Sequence, residues 1–202
     1  MSDGLTTETL RAGLTKIAAG MEAAAAELSA LDGQVGDGDL GVTMQRGCRE
    51  MMNELPGLPA DLGLALMKCA QAFTRISGST YGTLLATGLM SAAKAVKGRT
   101  DLPWIELPAL LGGALEAMMQ RGRGTLGDKT VLDVLAAVRD ATAGVSDPAA
   151  MLAAAASAAQ AALDEFRGRL ARQGRARIFG DKTIGLDDPG MVAFKRIIDS
   201  LK

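Results

Sequence analysis

Apolar residues recur at helical spacing along almost the whole chain. Leu10, Leu14, Ile17, Met21, Ala24 and Leu28 form one stripe, and Leu62, Ala65, Leu66, Cys69, Ala70 and Phe73 form another. Leu152, Ala156, Ala159, Leu163, Phe166 and Leu170 form a third. With Gly and Pro as punctuation, the pattern predicts eight helices, at about residues 5–30, 40–54, 59–73, 77–97, 104–121, 130–143, 148–173 and 189–201. No segment alternates as a strand. The expected class is all-α, an up-and-down bundle of eight amphipathic helices in a single domain spanning residues 1–202.

The connections divide into two kinds. "LPGLPA" (55–60), "KGRTDLPW" (97–104) and "GVSDP" (144–148) read as plain turns. "DGQVGDGD", "RISGS", "RGRGTLGDKT" and "GRARIFGDKTIGLDDPG" are polar and rich in glycine, and they join helices 1–2, 3–4, 5–6 and 7–8. In an up-and-down bundle successive connections alternate between the two ends. All four polar loops therefore belong on one rim, and the plain turns belong on the other. "GDKT" occurs at 127–130 and again at 180–183 with no longer repeat around it, so the echo reads as similar loop chemistry.

Composition narrows the chemistry. Aromatic residues make up 3% of the 202, so Ala, Leu and Met must fill the core. The formal charge of −1 gives no basic footprint for nucleic acid. No apolar run is long enough for a membrane span, and no leader pattern opens the chain, which predicts a cytoplasmic protein. Cys48 and Cys69 fall on apolar stripes and read as buried thiols rather than a disulfide. The chain has no histidine, which excludes imidazole metal sites, Ser-His-Asp chemistry and phosphohistidine relays within it.

Asp32, Asp37 and Asp39 share a stretch with Gly33, Gly36, Gly38 and Gly41. Three adjacent carboxylates repel unless a cation or a proton relieves them, and hard oxygen donors suit Mg²⁺ or Ca²⁺. An EF-hand fails, because its twelfth position would be Cys48 counted from Asp37, or Thr43 counted from Asp32. Mg²⁺ with phosphate beside the start of helix 2 is one reading; a cap at Asp39 with Asp32 and Asp37 in turns is the plainer one. "GRGTLGDKT" (122–130) is not a P-loop, since Asp128 separates Gly127 from Lys129 and a helix precedes it. It reads as a loop leading into a helix near Thr130, with Asp128 in the first turn or as cap. "DDPG" (187–190) is an N-cap followed by Pro at the first helical position. Arg175 and Arg177 offer cations in the same long loop.

Taken in order, "LDGQVGDGDLG", "SGSTYGT" (77–83), "GDKTVLDVL" (127–135) and "GRARIFGDKTIGLDDPG" (174–190) resemble the DhaL family, the nucleotide-binding subunits or domains of dihydroxyacetone kinases. The resemblance runs from about residue 10 to 200 and implies a barrel of eight antiparallel helices with the nucleotide at one rim. It implies that Asp32, Asp37 and Asp39 hold two Mg²⁺ ions on ADP or ATP, and that Leu40, Gly41, Val42 and Thr43 face the phosphates. Ile76, Ser77, Gly122, Thr130 and Val131 would line the pocket, and Arg175 with Asp188, Pro189 and Gly190 would close it. No residue receives a catalytic role. After the third Asp, relatives often carry His and Gly-x-Asn where this chain has Leu40 to Thr43, and "GDKTIG" replaces the usual "GERSIG" or "GERTIG".

The resemblance further implies a DhaK-type partner that holds the ketose on a histidine. A chain without histidine would then be half of an enzyme. ADP retained as a cofactor and recharged by a DhaM-type phosphocarrier is one expectation. An ATP-dependent ketose kinase subunit and a non-catalytic nucleotide-binding regulator are the alternatives.

Overall fold

A computed structural model describes residues 4–76 and 78–202, without the side chain of Ile76. The described residues contain eight α-helices: α1 Thr7–Val35, α2 Leu40–Glu54, α3 Leu62–Ile76, α4 Thr80–Ala95, α5 Leu107–Gly122, α6 Val131–Thr142, α7 Pro148–Arg167 and α8 Pro189–Asp199. Each helix packs on the next, and α8 packs on α1, so the series closes into a ring. The main core is built from apolar faces of all eight, with Met21, Leu28, Met44, Phe73, Leu115 and Met191 fully buried. Flexible methionines fill the irregular gaps that few aromatic rings are present to fill. A smaller cluster of Leu62, Leu66, Ala92, Ala93, Val96 and Leu102 lies between α3, α4 and the connection after α4.

The ends of the ring differ as the connections do. At one end Arg11 donates to the carbonyls of Leu55 and Leu58, Thr7 to that of Pro59, and Gly98 N–H to Asp61. That rim joins the start of α1 to the α2–α3 and α4–α5 connections. It also holds two strands that periodicity missed, β1 (Gly4–Thr6) and β2 (Asp101–Pro103), which pair antiparallel. Three residues are too few to show an alternation. The α1–α2, α3–α4, α5–α6 and α7–α8 connections meet at the other rim.

Several boundaries move from their predicted places for local reasons. A capping box between Thr6 and Thr9 starts α1, and the helix runs on through Gly33 to Val35. Asp32 therefore stands on the last turn of a helix and not in a loop. Asp61 accepts from Leu64 N–H at 3.0 Å and begins α3 three residues later than expected. Trp104–Glu106 is a 3₁₀ turn ahead of α5. The third apolar stripe continues to Leu170, yet α7 stops at Arg167, whose carbonyl accepts from Gly185 N–H and from Lys129 Nζ. The last connection contains 3₁₀ turns over Ala176–Thr183, broken at Gly180.

Close helix approach depends on the absence of side chains at particular contacts. A Cβ on Gly47 of α2 would sit 2.1 Å from the Phe73 ring of α3. Phe73 is fully buried and has no room to retreat. Gly47→Ala is expected to cost about 2 kcal/mol by overpacking, lowering Tm by roughly 4–8 °C for a chain of this size. Thermal unfolding followed by circular dichroism checks this; an unchanged Tm would show that the α2–α3 contact yields.

Candidate functional site

Asp32, Asp37 and Asp39 come together where α1 gives way to α2. One carboxylate oxygen from each lies within 4.8 Å of the others. Asp32 is held in part by accepting from Leu40 N–H at 3.3 Å, across the turn. Of the glycines in this stretch, Gly38 adopts a positive φ of 76°, whereas Gly33 is helical. Gly41 brings α2 against α1, since a Cβ there would fall 1.9 Å from the Ala25 carbonyl oxygen. Asp39 is the residue before α2, but its side chain makes no capping hydrogen bond, so the capping alternative does not hold. Asp37 and Asp39 are exposed and Asp32 is partly so.

The arrangement works against itself without a cation. Asp32 lies at the negative end of the α1 dipole, and the last turn of α1 has no basic residue. Three like charges so close repel. Arg175, from the far-off α7–α8 connection, sets its guanidinium on Asp37. The donor set is all oxygen and open to solvent on one side, which fits Mg²⁺ with water or phosphate completing its shell. Leu40 N–H is taken by Asp32, and Thr43 N–H by the Asp39 carbonyl at 2.9 Å. Gly41 and Val42 carry the remaining first-turn N–H groups, which have no intrahelical acceptor.

The other loops converge on the same rim. Thr130 caps α6, accepting from Leu132 N–H, in a capping box completed by Asp133. Asp128, expected in the first turn or as cap, lies ahead of the helix, accepts from Thr125 and folds its own loop. Val131 is buried behind Thr130. Gly122 ends α5, and its carbonyl accepts from Gln173 Nε2 at 3.0 Å. Asp188 caps α8, accepting from Met191 N–H at 2.9 Å, with Pro189 next, as "DDPG" predicts. Gly190 leaves space for the Tyr81 ring, which a Cβ would approach to 2.9 Å. Thus Tyr81 ties the start of α4 to α8, and Arg175 ties the last loop to the aspartates. Arg172 N–H donates to the Asp128 carbonyl and ties that loop to the α5–α6 connection. Ser77 and the side chain of Ile76 lie outside the described residues.

Four features escaped sequence reasoning. Lys129 is almost fully buried. Asp133 is buried too, accepting from Gly127 and Thr130 N–H groups; burial nevertheless raises its pKa. The Thr-x-x-Asp spacing was the available signal for that box. Arg167 grips Asp187 with two hydrogen bonds. Tyr81 carries a buried hydroxyl with no hydrogen-bond partner among the described residues, and burial, then the charge of Asp188, push its phenol up. Cys48 and Cys69 are free and buried, with thiols pushed up to about 12 and about 11 by burial, so neither is a nucleophile here.

Asp188 is a rim carboxylate with a raised pKa. Burial raises its pKa to about 6, against the opposing effects of the Met191 hydrogen bond and the Lys129 charge. The folded value lies above the unfolded one, so the folded state binds this proton more tightly. The cost of the buried charge is therefore present above pH 6 and disappears as pH falls through 6 toward 4. Asn keeps the cap without the charge. The stability of Asp188→Asn relative to wild type is expected to fall by about 1–1.5 kcal/mol from pH 7.5 to pH 5. Urea unfolding at the two pH values measures this, and a constant difference would contradict the buried charge.

Residues 34–202 match the DAK2 domain family. The chain is 32% identical over 169 residues to the PEP-dependent dihydroxyacetone kinase, ADP-binding subunit DhaL, of Escherichia coli strain K12, covering 81% of this chain and 80% of that one. It is 29% identical to the L-erythrulose 1-kinase of Mycolicibacterium smegmatis, covering 87% of this chain and 32% of that protein. With the triokinase/FMN cyclase of Bos taurus the identity is 33%, over 86% of this chain and 31% of the other. The chain thus spans most of the first relative and about a third of the other two. Among solved structures, the native dihydroxyacetone kinase of C. freundii superposes with a TM-score of 0.78 at 22% identity, covering all of this chain and 35% of that one. The same enzyme in complex with AMP-PNP and Mg²⁺ gives 0.76. No helix among the described residues is long and apolar enough to cross a membrane. The helical ring, its carboxylate-bearing rim and these matches together place the chain in the DAK2 domain family, the family of the DhaL subunits.

Proposed function

We propose that the chain is the nucleotide-binding subunit of a cytoplasmic kinase for dihydroxyacetone or a related ketose such as erythrulose. In this reading it transfers a phosphoryl group from a Mg²⁺-bound nucleotide to substrate held on a separate DhaK-type subunit. The observation that carries the proposal is the convergence of the Asp32, Asp37 and Asp39 oxygens within 4.8 Å, beside the start of α2 and under Arg175. Oxygen donors alone, at a helix end that leaves N–H groups unpaired, suit a metal–phosphate group better than a structural turn.

Each residue then has a definite part. Asp32, Asp37 and Asp39 would hold two Mg²⁺ ions, which would supply positive charge to neutralise the phosphates. Gly41 and Val42 N–H groups meet the phosphates, with Leu40 and Thr43 shaping that turn. Gly122, Thr130 and Val131 would line the nucleoside, with Ile76 and Ser77 assigned there by the family resemblance alone, and Arg175 with Asp188 to Gly190 would close the rim. Arg175 is placed to exchange Asp37 for a phosphate oxygen when the cations take over the carboxylates. Phosphoryl transfer needs positioning and charge neutralisation more than a covalent group from this subunit. A chain without histidine can supply both.

The nucleotide is taken to be ADP, retained as a cofactor and recharged by a DhaM-type phosphocarrier. In support, the E. coli relative matched over most of its length is by name an ADP-binding subunit of a PEP-dependent kinase. Convergence of all four loops adds weight, since release requires several charge-assisted contacts to break together.

Asp37→Ala is expected to weaken ADP–Mg²⁺ binding tenfold or more, at least 1.4 kcal/mol, while circular dichroism stays helical. Wild-type affinity by calorimetry would remove the metal assignment. Retention is tested by native mass spectrometry of protein purified without added nucleotide, then by a chase with labelled ATP. Co-purified ADP that outlasts many turnovers with a DhaK-type partner is the expected result. Exchange faster than turnover would make the chain an ATP-dependent kinase subunit, and no nucleotide binding even with Mg²⁺ would make it a regulator. A ligand present at about 100 times its Kd adds roughly 2.7 kcal/mol of stability, so chelation should also lower Tm.

A further inference from the structure

Lys129 lies in the α5–α6 connection, one residue before the cap of α6, and is 2% exposed. Its φ of 63° is left-handed, a conformation that favours glycine over any residue with a side chain. A glycine would serve the turn better, so the side chain itself is what the position uses. Lys129 Nζ donates to the carbonyls of Thr183 at 2.7 Å, Arg169 at 2.9 Å and Arg167 at 3.2 Å. An ammonium has three donors, and all three are matched. Two of the carbonyls belong to the end of α7 and the residues just past it, where the helix dipole is negative.

The segment after α7 winds around this ammonium. Buried Thr183 accepts from Ala171 N–H at 3.0 Å and donates to the Gly180 carbonyl at 2.8 Å. Gly185 N–H donates to the Arg167 carbonyl at 2.8 Å, and Arg167 in turn grips Asp187, next to Asp188. This is the same segment that carries Arg175 to Asp37.

We infer that Lys129 is a positioning residue for the rim: its ammonium holds the segment 169–187 against the loop that presents Thr130, and so fixes Arg175 and Asp188 before any ligand arrives. The part concerning nucleotide affinity rests on the proposed function; the part concerning the segment does not. Removing the donors takes one hydrogen bond from each of the three carbonyls, of which those of Arg167 and Thr183 keep the Gly185 and Leu186 N–H groups, and it frees the segment while the helical ring keeps its own contacts.

Hydrogen exchange and calorimetry on the whole chain test the inference. Lys129→Met keeps the stem and loses the donors. It is expected to stay helical, to exchange the Ala171 and Gly185 amides at least tenfold faster, and to bind ADP–Mg²⁺ at least tenfold more weakly. In Lys129→Ala, n-propylammonium supplies the missing stem and donors and should restore protection, whereas tetramethylammonium, a cation without N–H groups, should not. Wild-type protection in Lys129→Met, or equal rescue by both cations, would overturn the inference. Should the variants fail to fold, exchange in wild type under mild denaturant decides: the Ala171, Arg172 and Gly185 amides open together below global unfolding, and independent opening overturns the inference. A wild-type chain that binds no ADP–Mg²⁺ would remove the functional reading and leave the exchange result to judge Lys129 by itself.

Discussion

A ring of helices that alternate in direction has two rims, and each connection is assigned to one of them by its parity in the chain. That constraint governs everything else in the molecule. Once α8 packs on α1, the first, third, fifth and seventh connections share a rim whatever their sequences. Glycine, aspartate and arginine are concentrated in those connections, and the short turns and the small two-stranded pairing are left to the opposite rim. Residues as distant in sequence as Asp37 and Arg175 therefore meet without any element having to bend toward the other.

The rim is the part of the molecule least suited to stability. Asp32 faces the unfavourable end of α1, Asp188 is a half-buried acid with a raised pKa, Lys129 holds a left-handed backbone and the Tyr81 hydroxyl has no hydrogen-bond partner among the described residues. Strain and unmatched charge of this kind persist only where the surroundings over-determine them. The surroundings here are helix ends fixed by caps at Thr130, Ser79 and Asp188, set on a core that excludes water. A cation held by Asp32, Asp37 and Asp39 would relieve their mutual repulsion, so the charge that weakens this rim is also what the proposed ligand would use.

The helical periods and the parity of the loops were legible in the sequence because each rests on local spacing. Leu62 through Phe73 read as a stripe, and all six residues lie in the core. "DDPG" read as a helix start because cap and proline act within one turn. What was not legible depends on contacts between distant segments. Nothing near Lys129 in sequence indicates that its partners are at 167, 169 and 183, and the same contacts explain why α7 stops before its apolar stripe does. Asp32 was placed in a loop because Gly33 looked like a stop; neighbouring contacts with α2 outweigh one glycine's helix penalty of about 1 kcal/mol.

The division between ring and rim also accounts for a chain without histidine. A ring of alanine, leucine and methionine packs helices closely enough to fix eight helix ends, and helix ends supply N–H groups and capped carboxylates at set positions. Those groups bind and orient charge but form no covalent bond to a carbonyl substrate. On the proposed reading, a protein built this way would serve the phosphate side of a transfer and leave the acceptor side to a partner surface. The exposed Val42, Leu126, Ile178 and Ile184 belong to that rim, so such a partner would meet apolar side chains as well as charge.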